Sequence, residues 1–165
     1  MGEITTVGID LAKNVFSVHG VDAHGKTVLR KTVSRGALLE LMAQLPRCLV
    51  GMEVCSGANQ LARDLQPLGY QPRIMMPKFI IPYRRNQKND GNDAEAICKA
   101  VGRPNMRFGS GSHAAHVSLL RSFRCVPIKS VEQQAVLVVH RVRKELVAHL
   151  LVAAWRNGPQ VQHSR

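Results

Sequence analysis

The sequence predicts an α/β domain in which a mixed β-sheet is flanked by helices, followed by one long C-terminal helix. Three observations carry that prediction. Three β-branched, apolar runs stand close together at the N-terminus; strand-like and helix-like runs then alternate from Cys48 to Val101; and apolar residues recur at helical spacing from Val131 to Leu150. A chain of 165 residues holds one domain of common size with appendages rather than two domains. Its apolar fraction of 45% is that of a globular protein, but only 4% of residues are aromatic, so Val, Ile, Leu, Met and Ala must build the core.

Taken in order, TTVGIDL from Thr5 to Leu11, VFSVHGVD after it, and KTVLRKTV beyond the turn-like Ala23-His24-Gly25 read as three antiparallel strands. Ser34 is a candidate N-cap for a helix carrying Leu38, Leu41, Met42 and Leu45, which Pro46 stops. CLVGMEV, Cys48 to Val54, is a short buried-strand pattern, followed by a helix through Leu61, Leu65 and Leu68 that closes at Gly69. Pro72 to Met76 reads as another core strand. A basic loop from Pro77 to Asn92 then feeds a helix from Asp93 to Val101, which ends at Gly102 and Pro104. Meander, helix, strand, helix, strand, helix is the element order of the ribonuclease H-like fold.

Gly109 to His116 is rich in Gly, Ser and His and lacks periodicity, which marks a linker. Beyond it, Ser130-Val131-Glu132-Gln133 has the S-x-x-Q form of a capping box and opens a helix with Val131, Ala135, Val138, Val142, Leu146 and Leu150 on its apolar stripe. With no sheet left to cover, that stripe is expected to pair with a partner helix or a second copy of the chain. The expected organisation is a ribonuclease H-like domain over 1–108, an inserted linker over 109–125, a long helix over 126–156 and a disordered tail over 157–165.

Lys and Arg outnumber Asp and Glu by 23 to 11, a formal charge of +12, so a polyanion such as nucleic acid is the expected partner. The basic residues are spread along the chain rather than confined to one amphipathic face, which argues against a membrane surface. No run of 18 apolar residues occurs and the N-terminus lacks a signal-like pattern, which points to the cytoplasm. The four cysteines, Cys48, Cys55, Cys98 and Cys125, contain no C-x-x-C pair, so neither a zinc ribbon nor a disulfide framework is indicated and reduced packing residues are expected.

Of the eleven carboxylates, four stand where a metal-dependent nuclease needs them. Asp10 interrupts the apolar V-G-I-D-L run, where a lone charge is costly to bury. Glu53 ends the apolar L-V-G-M run, at the carboxyl edge where open α/β sheets place ligands. Asp90 and Asp93, in K-N-D-G-N-D-A-E-A, are three apart at the start of a helix and so share a face. Their structural alternative is simple capping of the helix N-terminus. Four converging acids would hold hard cations such as Mg²⁺ or Mn²⁺, and would repel one another without them. Glu95 on the same helix is offset from that face and stays outside the set. Arg84, Arg85 and Lys88, beside the acidic helix, are candidate phosphate contacts, and Tyr83 is a candidate for stacking on a base.

The set V-G-I-D-L-A-K, G-M-E-V-C-S-G and K-N-D-G-N-D-A-E-A resembles the DEDD-type insertion-sequence transposases that carry a RuvC-like nuclease domain. The resemblance covers about residues 4–108 and resumes from V-P-I-K-S-V-E-Q-Q-A to about Glu145. It implies a ribonuclease H-like fold with Asp10, Glu53, Asp90 and Asp93 as Mg²⁺ ligands. It also implies DNA strand cleavage at recombination junctions in transposition, guidance by a structured RNA, and a C-terminal transposase domain with a nucleophilic serine. The chain departs from the family in three ways: Gly109 to Cys125 looks inserted, no acidic residue follows Glu145, and the chain stops before that second domain. A truncated copy, incomplete in transposition, is therefore expected, with a catalytically inactive nucleic-acid-binding remnant as the alternative. Sugar kinases and actin-like ATPases also open on a G-I-D strand, but their Gly-rich phosphate loops are missing here. His113, His116 and Cys125 lack the paired spacing of structural zinc sites.

Overall fold

The computed structural model describes residues 2–84, 90–103 and 125–157. Its elements are β1 (Thr6–Leu11), β2 (Val15–Val21), β3 (Thr27–Ser34), α1 (Leu38–Ala43), β4 (Leu49–Glu53), α2 (Ala58–Leu65), β5 (Gln71–Met75), two 3-10 turns (Pro77–Phe79 and Ile81–Tyr83), α3 (Asp90–Val101), β6 (Cys125–Val126) and α4 (Val131–Asn157). The strands make one six-stranded sheet in the order β3-β2-β1-β4-β5-β6. The β1–β2 and β2–β3 pairs are antiparallel, β1–β4 and β4–β5 parallel, and β5–β6 antiparallel. This is the ribonuclease H-like arrangement of a mixed sheet flanked by helices, with a long C-terminal helix.

Strand alternation sends side chains of β1 and β4 to two different layers. Val7, Ile9, Val50, Met52 and Ile74 face one way and bury with Leu38 and Met42 of α1 and Leu61 and Leu65 of α2. On the other face Met75 and Cys125 pack with Ile80 and with Ala96, Ile97, Ala100 and Val101 of α3. Ile9, Met52, Leu65, Ile74 and Ile97 are fully buried, and each such side chain contributes about 1.5–3 kcal/mol of transfer free energy. Tyr70 ties the first layer together, its hydroxyl donating to the carbonyls of Met42 and, at 2.9 Å, Leu45 just after α1.

The α3 layer depends on two glycines. Gly8 and Gly51 are register partners on adjacent parallel strands. A Cβ on Gly51 would stand 2.8 Å from Val101 Cγ1, and one on Gly8 would stand 2.5 Å from the Cys98 backbone nitrogen and closer still to the Ala94 carbonyl oxygen. With both side chains absent, α3 lies against the sheet backbone itself, so the helix is held at a fixed height above β1 and β4.

Three expectations need correction. Ser34 does not cap a helix: it is the last residue of β3, paired with Val15, and α1 begins at Leu38 behind Ala37 with no side-chain cap. The ladder along β2 carries the strand through a residue whose local preference is for capping. Likewise, Asp90 rather than Asp93 is the first residue of α3. The sheet also reaches further along the chain than the 1–108 boundary. Cys125 and Val126, read as the end of a linker and the start of the long helix, pair with Met75 and Ile74, so the first compact unit runs to Ile128 and the second begins at Lys129. The rest of the expected linker, and the tail beyond Asn157, lie outside the described residues.

The second unit is α4, and its expected capping box is present. The Gln133 backbone nitrogen donates to Ser130 Oγ at 3.2 Å, and the Ser130 nitrogen donates to Gln133 Oε1 at 3.0 Å. Val138, Val142, Leu146 and Leu150 of the predicted stripe are exposed. In the first unit the three thiols of Cys48, Cys98 and Cys125 are buried; burial pushes Cys48 and Cys125 up to about 11 and Cys98 up to about 12, so they stay protonated as packing groups.

Candidate functional site

Residues two apart on a strand share a face, so Asp10 follows Gly8, and Glu53 follows Gly51, onto the α3 side of the sheet. The repeated spacing, glycine then acid two residues on, has one physical meaning in both strands: the glycine admits the helix and the acid lies at its N-terminal end. Glu53 is the last residue of β4, and Asp10 comes one step after the Ile9–Met52 pair, so the two acids stand at neighbouring positions along the carboxyl edge. Asp93 lies in the first turn of α3, above that edge. The side chain of Asp90 lies outside the described residues.

Arg84 joins two of these acids. It follows the second 3-10 turn, where its backbone nitrogen donates to the Ile81 carbonyl at 3.1 Å and the fully buried Ile80 anchors the turn. From there its Nη2 lies 2.8 Å from Glu53 Oε2 and its Nε 3.0 Å from Asp93 Oδ1. The three side chains are 30%, 23% and 16% exposed, so solvent can still reach the cluster. Among the described residues the buried Nε has no hydrogen bond of good angle; its contact with Asp93 is ionic. Arg84, expected as a phosphate contact, is thus turned toward the acids. Arg85 and Lys88, expected beside it, lie outside the described residues, and Tyr83 carries the Arg103 guanidinium 5.6 Å above its ring.

Two further arginines stand near the carboxyl edge, one of them beside α3, and no spacing in the sequence announces them. Arg30 on β3 reaches across the sheet so that its Nη2 is 2.6 Å from where a Cβ on Gly91 would stand, beside the first turn of α3. Arg35 lies beside Gly57, past the end of β4, and its guanidinium is 5.9 Å above the Phe16 ring. Glu95 behaves as expected of an outsider and pairs with Lys99 one turn on, at 2.5 Å.

Below α3, His19 is 3% exposed and is the register partner of Gly8. Its Nε2 is 3.4 Å from Thr27 Oγ1, and among the described residues its Nδ1 has no hydrogen-bond partner. Burial disfavours the imidazolium and holds His19 below its ordinary value of 6.5; Glu95 opposes that shift, while Arg30 and Lys99 add to it. A group lowered in the folded state costs nothing above the unfolded value and destabilises as pH falls through it, because only the unfolded chain takes up the proton. Stability should therefore drop as pH falls below the ordinary value of 6.5, and urea midpoints of a His19→Gln variant should be flatter over the same range. Parallel curves for the two proteins would assign the pH dependence to other groups.

The donor set suits a hard divalent cation. It is all carboxylate oxygen, and Mg²⁺, which keeps most of its waters, is ordinarily held by one or two carboxylates together with substrate phosphate. Glu53 and Asp93 already converge on one cationic group, with Asp10 on the adjoining strand. Among the described residues no three His, Cys, Asp or Glu side chains form a ready metal cage.

No family model matches the chain. It is 44% identical over 144 residues to a probable family 20 transposase of Pseudomonas aeruginosa, an alignment covering 87% of this chain and 38% of that protein. It is 41% identical over 147 residues to the transposase for insertion sequence element IS1328 of Yersinia enterocolitica, covering 89% and 39%. It is 35% identical over 147 residues to the transposase for insertion sequence element IS1111A of Coxiella burnetii, covering 89% and 36%. The chain thus spans under two fifths of the length of these curated relatives.

Proposed function

We propose that this chain is the RuvC-like, metal-dependent nuclease portion of an insertion-sequence transposase, acting on DNA strands during transposition. The observation that carries this reading is the convergence of Glu53 and Asp93 on one cationic group beside Asp10, at the carboxyl edge of a ribonuclease H-like sheet. The relatives named as transposases and the net charge of +12 agree with it.

A bound Mg²⁺ or Mn²⁺ would supply positive charge at a scissile phosphate and make an attacking water more acidic. The chain's own residues do the rest. Asp10 and Glu53 offer oxygens from adjacent strands, and Asp93, with Asp90 one turn earlier, offers them from α3. The Gly8–Gly51 contact fixes the height of that helix, so strand and helix acids keep one spacing. Arg30 beside the first turn of α3, Arg35, Arg85 and Lys88 are the candidates to hold the DNA backbone. A structured guide RNA is a further proposed partner. The exposed Val138, Val142, Leu146 and Leu150 of α4 are the proposed surface for pairing with a second copy. Among the described residues no helix is long and apolar enough to cross a membrane.

The test has two readouts. Saturating Mg²⁺, compared with chelator at matched ionic strength, should raise the thermal midpoint; at a hundred times Kd the linkage stabilisation is about 2.7 kcal/mol. A branched DNA substrate should then be cut in Mn²⁺ and not in chelator. Coincident midpoints with uncut DNA would leave a domain that binds nucleic acid without chemistry.

A further inference from the structure

We propose that Arg84 is an internal counter-cation that competes with the divalent ion for Glu53 and Asp93; the inference rests on the metal-site reading above. Two nitrogens of one guanidinium, Nη2 and Nε, take one oxygen from each acid, at 2.8 and 3.0 Å. Without a positive charge between them, two carboxylates brought to one place repel each other. Arg84 supplies that charge where a dication would supply it.

The contact is built to hold and also to give way. The 3-10 turns, pinned by the buried Ile80, deliver the arginine to the acids, so its position is not that of a wandering surface side chain. Yet each carboxylate receives a single nitrogen, short of the two-point fork that makes arginine–carboxylate pairs strong. The Nε contact lacks hydrogen-bond geometry, and Arg84 is 30% exposed, so solvent screens it. A divalent ion brings twice the charge to the same oxygens. Glu53 and Asp93 would hold the ion in place of the guanidinium, which would then release their oxygens.

This role and a merely structural one predict opposite signs. If Arg84 only shaped the site, removing it would weaken metal binding; if it competes, removing it tightens binding. Calorimetric titration of the full chain with Mn²⁺ should show Arg84→Met binding roughly tenfold tighter than wild type, with Arg84→Lys in between because it keeps the charge but makes one contact. In chelator Arg84→Met should melt below wild type, and Mn²⁺ should close that gap. Equal or weaker Mn²⁺ affinity in Arg84→Met overturns the proposal while leaving the metal site standing. Absence of Mn²⁺ binding in both wild type and Arg84→Met overturns the metal reading and this proposal with it. Should Arg84→Met be unfolded in chelator, refolding on addition of Mn²⁺ supports competition, and failure to refold overturns it.

Discussion

Gly8→Ala should cost at least about 3 kcal/mol of folding free energy, the upper end of what overpacking usually exacts. The added methyl meets the backbone of α3, the Ala94 carbonyl oxygen and the Cys98 nitrogen, and neither atom can rotate aside as a side chain could. Relief requires lifting the helix, which uncovers Ile97, Ala100 and Val101 and moves Asp93 away from Glu53. Against a typical total of about 5–15 kcal/mol such a loss is severe. Gly51→Ala is the informative control, because there the nearest atoms are Val101 Cγ1 and Cβ, which belong to a side chain. Urea unfolding should show Val101→Ala rescuing much of the Gly51→Ala defect and none of the Gly8→Ala defect. Equal rescue of both would mean that α3 shifts easily, and the fixed-height argument for the acid site would be lost.

Asp10→Asn should abolish DNA cleavage by more than about a hundredfold, since loss of even an outer partner of a metal site commonly costs 10–100-fold. The substitution keeps the size of the side chain on a strand whose ladder to β2 and β4 is made by backbone. Its effect on stability in chelator should therefore stay within about 1 kcal/mol, the ordinary size for a point change. Single-turnover cleavage of branched DNA in Mn²⁺, beside a chelator melt of the same protein, separates the two effects. Cleavage within a few-fold of wild type would remove Asp10 from the reacting centre and leave Glu53 and Asp93 as its core.

The elements that read clearly from sequence are those whose local pattern and tertiary role agree. The runs around Val7–Ile9, Val18 and Val50–Met52 are apolar because both faces of the central strands are covered, and Asp10 and Glu53 stand out because a charge in such a run needs a reason. The Ser130–Gln133 box is legible because all of it is local. What was hidden depends on distant partners. Ser34 has the local chemistry of a cap but is carried into β3 by its pairing with Val15. β6 is two residues long and has no pattern of its own; only Met75 and Ile74 make it a strand. Arg84 reads as one more basic loop residue, and its turn toward the acids is set by the 3-10 turns after β5. The glycine two places before each acid was a signal in plain view, whose meaning comes from the helix that lies across both strands.

β6 also bears on how such a chain changes over generations. Arg103 just past α3 and Cys125 in β6 belong to the same compact unit, so whatever lies between them leaves and returns to one scaffold. An insertion that shifted the seat of α3 or the register of β5 would therefore be felt throughout the unit that carries the acids. The strands and helix that carry the acids stay under the geometric constraint of two glycines.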